Sequence, residues 1–85
     1  MSNQERILNQ GHLAELREKL ERLTDRAEGI VESLRVATYV APLSTPFDLD
    51  AAKVRNFGDE LVEVVREGNR VREEIRRLEE ALGRR

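Results

Sequence analysis

The sequence predicts an all-α protein, a long antiparallel two-helix coiled-coil hairpin that dimerises into a four-helix bundle. Three observations predict it. Two apolar stripes run through the 85 residues, each alternating spacings of three and four. A single proline-containing break separates them. Charged residues make up 38% of the chain and aromatic residues only 4%, with no Trp, which is the profile of long helices that meet along a narrow seam.

At the N-terminus, Ser2 and Glu5 have the spacing of a capping box. The first ten residues leave two starts open. One is near residue 3; the other follows Asn9, because Gly11 weakens the helix locally. Ile7 and Leu8 fall outside the heptad frame, which would instead put Arg6 and Asn9 on the seam.

The first stripe is Leu13, Leu16, Leu20, Leu23, Ala27, Ile30, Leu34, Ala37 and Ala41. These are the a and d positions of a heptad. Pro42 disfavours helical geometry at Ala41, so this helix is expected over about residues 3–40, ending near Tyr39 or Val40. The connection is expected at about 41–46. In Thr45-Pro46-Phe47-Asp48, Thr45 can cap, Pro46 suits a first helical position and Asp48 can bond back to the cap. Asp48 or Asp50 is an alternative cap. A connection this short joins antiparallel neighbours. The second stripe is Val54, Phe57, Leu61, Val64, Gly68, Val71, Ile75, Leu78 and Leu82, within a helix over about 47–83. Residues 1–85 thus read as one helical-hairpin domain. Gly68, alone in not being apolar, is expected to admit a large opposing side chain or a close backbone, with a hinge as the less favoured alternative.

A fold centred near residues 45–46 stacks Leu20 on Val71, Leu23 on Gly68, Leu34 on Phe57 and Ala37 on Val54. It is expected to pair Lys19 with Glu74 and Arg26 with Glu67, at the cost of Arg17 beside Arg72. A register shifted by a heptad gives Arg17–Glu79, Arg26–Glu74 and Val31–Val65 instead, with a longer return through the loop, and is the less favoured. Exposed ion pairs are worth only a few tenths of a kcal/mol, so they bias this choice weakly.

For function, the composition excludes more than it assigns. There is no Cys, hence no disulfide and no thiolate metal site. Fifteen basic and 17 acidic residues are interleaved and the net charge is −2, which gives no general attraction to nucleic acid or to an anionic membrane. No apolar run approaches a membrane span, and the first residues lack the pattern of a secretory signal, so a cytoplasmic protein is expected. The lone His12 reads as a surface residue. The adjacent pairs Asp59-Glu60, Glu73-Glu74 and Glu79-Glu80 point in different directions around a helix. None of the short catalytic or phosphate-binding motifs occurs. No catalytic, metal or cofactor-binding residue is assigned, and an enzyme is not expected. The length matches helical hairpins among secretion-needle subunits and WXG-type secreted proteins, but the turn differs from the needle turn and no Trp-x-Gly occurs; neither membership is drawn.

What remains is apolar surface in excess of one seam. All three aromatic residues, Tyr39, Phe47 and Phe57, sit near the turn, and valines there lie off the a and d positions. Val31, Val36, Tyr39, Val40, Phe47, Phe57, Val62 and Val65 are the expected interaction surface, either for a second copy, with a homodimer preferred, or for a heterologous helical protein. The plain alternative is that Leu43 and Phe47 fold over the tip as a plug. A non-catalytic interaction or scaffolding module is the leading expectation. The alternative is a small nucleic-acid-associated regulator using the Arg-rich end of the second helix, where Arg66, Arg70, Arg72, Arg76, Arg77, Arg84 and Arg85 face five Glu in the last 20 residues, seven against five, a net +2.

Overall fold

A computed structural model describes residues 2–83 and shows two long helices packed against each other, with no strand among the described residues. Helix α1 spans Asn3–Ala37 and helix α2 spans Ala51–Gly83, joined by a connection that holds one 3-10 turn, Pro46–Asp48. The result is a hairpin of 65 × 15 × 15 Å. Its length is set by the helices, since 35 residues at about 1.5 Å each extend about 50 Å.

Helix α1 starts at the earlier of the two expected sites. The Glu5 amide donates to Ser2 Oγ at 3.1 Å, which satisfies an amide that has no partner inside the helix. It ends at Ala37, short of the expected 39–40. There the Thr38 amide and hydroxyl both donate to the Leu34 carbonyl, at 2.9 and 2.7 Å, and the chain leaves the helix before Pro42 forces it to. Ser44 donates to the Ala41 carbonyl at 2.9 Å, closing a turn with Pro42 in its second position, where its fixed φ fits.

The expected capping box forms: the Thr45 amide donates to Asp48 Oδ2 at 2.9 Å and the Phe47 amide to Thr45 Oγ1 at 3.1 Å. It closes only the 3-10 turn. The cap of α2 is Asp50, whose Oδ1 accepts from the Lys53 amide at 3.1 Å. Helix α2 therefore begins at Ala51, later than the expected 47. Two caps in series explain the shift, because the side chain that bonds the first α-helical turn decides where that turn begins.

The two apolar stripes face each other. Leu13, Leu16, Val71 and Ile75 form a buried cluster, with Leu20, Leu23, Leu78 and Leu82 packed against it, and Ile30 and Val64 are buried nearer the turn. Full burial of such a side chain is worth about 1.5–3 kcal/mol. Arg6 and Asn9 are half-buried where the heptad frame extends to the end of α1, which leaves Ile7 and Leu8 exposed.

Candidate interaction surface

The ion pairs across the seam fix the register and show that the hairpin has two unlike flanks. On one flank lie Lys19–Glu67 at 2.7 Å and His12–Glu74 at 4.0 Å, both centred on residue 43. On the other lies Arg17–Glu79 at 3.5 Å, centred on residue 48. The seam between them is centred at 45–46, as the preferred fold requires. The charge pairings expected with that fold are not the ones formed. Lys19 takes Glu67 and not Glu74, and Arg17 meets Glu79, the pair expected of the shifted register, and not Arg72. On each flank a residue has two possible partners one heptad apart, and seam packing leaves that choice open.

Nearer the turn, the first flank has a groove lined by Ser33 and Lys53 together with Val36, Ala37 and Phe57. On the second flank, Val65 borders a groove with Thr24, Ala27 and Arg72, and Val31 borders the next with Thr24, Ala27, Glu28, Glu32 and Arg35. The second flank thus mixes apolar and charged side chains at mid-length.

The eight expected surface residues do not form one patch. Val31 and Val65 share the second flank, bordering open grooves that have Thr24 and Ala27 in common. Val62 stands one turn from Val65 on the same side of α2. All three are exposed, Val31 at 42%, Val62 at 48% and Val65 at 47%. Val36 opens onto the opposite flank, in a groove with Ser33, Lys53 and Phe57. Phe57 and Val40 are half-buried, the first as a member of the seam. Tyr39 and Phe47 stand out at the turn. Leu43 and Phe47 are 101% and 96% exposed, so they do not plug the tip. The reason is local: the capping box ties the backbone of Pro46–Asp48 to itself, and nothing ties that turn to the seam.

Gly68 is also corrected. A Cβ added there would meet nothing within 4 Å, so neither a large opposing side chain nor a close backbone explains it. With Leu23 and Ala27 across from it, Gly68 leaves the seam thin and open to the Val31–Val65 flank.

The Arg-rich end of α2 is largely neutralised by its own helix. Arg70 pairs with Glu67, Arg76 with Glu73 and Glu80, and Arg77 with Glu73. The Arg76 guanidinium, hydrogen-bonded to Glu73, holds that carboxyl below its usual range, and Glu73 in turn raises Arg76. Arg84 and Arg85 lie outside the described residues. Among those described, no group of three His, Asp or Glu is placed to hold a metal ion, and no helix is long and apolar enough to cross a membrane.

What the side chains build is thus a surface, with exposed apolar residues in several places, most of them near the turn, among charged ones. Compared with known families, curated proteins and solved structures, the chain matches none.

Proposed function

We propose that this protein is a non-catalytic interaction or scaffolding module, a coiled-coil hairpin whose work is to present a helical face to a partner protein. One observation carries the reading. Val31, Val62 and Val65 are exposed on one side of a thin part of the seam, at a level where no interhelical ion pair occurs among the described residues. Apolar side chains that serve only the hairpin belong at a and d; these lie outside both. A further helix laid on the flank would remove them from water, at about 25 cal/mol per Å² covered. The grooves along the rod are shallow and open, and a shallow groove favours a helix over a small molecule.

The test is absolute mass in solution by light scattering coupled to size exclusion, for the natural chain and for Val31→Glu and Val65→Glu. A carboxylate at either position cannot be buried unpaired without a large cost. The assembly should fall towards the 9.8 kDa of one chain, while circular dichroism retains the helical signal. If both substitutions left mass and partner binding unchanged, the reading would be wrong.

A further inference from the structure

We draw no further inference here: the strongest candidate, the open groove beside Gly68 lined by Leu20, Leu23, Ala27, Val64 and Val65, is an unpartnered apolar face, and nothing in the structure shows what covers it.

Discussion

The two halves of this hairpin are built from the same heptad and behave as different materials. In the half far from the turn, the seam is Leu13, Leu16, Leu20 and Leu23 against Val71, Ile75, Leu78 and Leu82, and the interhelical pairs Lys19–Glu67 and Arg17–Glu79 flank it, with His12 near Glu74. In the half near the turn, Ala27 and Ala37 take seam positions, only Ile30 and Val64 are buried, and further apolar residues stand outside the seam, Val31, Val62 and Val65 on one flank, Val36 on the other and Tyr39, Leu43 and Phe47 at the turn. The far half fills its own seam, with Ile7 and Leu8 exposed near its start, and the near half leaves more of its apolar surface outside the seam. A two-helix protein has no thick core to spare, so displacing valines from seam to flank exchanges internal stability for a surface.

The largest effect expected from this difference is in the far half. Leu16→Ala removes a buried side chain beside Val71 and should cost about 2–5 kcal/mol, read as a lower urea midpoint of the helical signal. Leu34→Ala, at a half-buried position near the turn, should cost about 1 kcal/mol. Equal losses at the two sites would break the comparison, because the near seam would then be as well packed as the far one.

Two substitutions of intermediate size sharpen it. Gly68→Ala should stabilise the chain by about 1 kcal/mol: helix interiors favour Ala over Gly by that much, and the added Cβ meets nothing. A loss there would mean that Gly68 is a contact point of an assembly. Asp50→Ala should cost about 1 kcal/mol by uncapping α2, whereas Thr45→Ala uncaps only three residues and should cost less. Equal costs would show that the 3-10 turn is part of the folding unit of α2.

The smallest effects are electrostatic. A double-mutant cycle on Lys19 and Glu67 should give about 0.2–1 kcal/mol and lose it in high salt, since both side chains are solvent-exposed to a substantial degree. Glu73 has a lowered pKa, so its ionised form stabilises the native helix. That contribution is complete above the ordinary value of 4.5 and is lost as pH falls below it. A slight fall in helicity over this acid range should disappear in Arg76→Ala, the variant that removes the cause.

Much of this was legible before any coordinates. The spacing of apolar residues gave both helices, because a period between 3.5 and 3.6 is a property of local sequence. Pro42 and Pro46 located the turn for the same reason, through fixed backbone angles. Helix ends were legible only to within a few residues, since Thr45, Asp48 and Asp50 are all competent caps and only the folded backbone shows that Asp50 serves α2. The surface was legible as composition. That Val31, Val62 and Val65 share a flank while Val36 lies on the opposite one depends on where each falls around its helix once the seam is set.

By itself, then, the sequence determined what depends on near neighbours along the chain: two helices, a hairpin turn, an apolar seam and an unassigned excess of valine. Tertiary structure alone decided what depends on distant pairs. It chose Glu67 over Glu74 for Lys19, left Gly68 facing open space and sent Leu43 and Phe47 into solvent. Flank charges one heptad apart are near-equivalent in energy, and a choice between near-equivalents is made only once the two helices stand side by side.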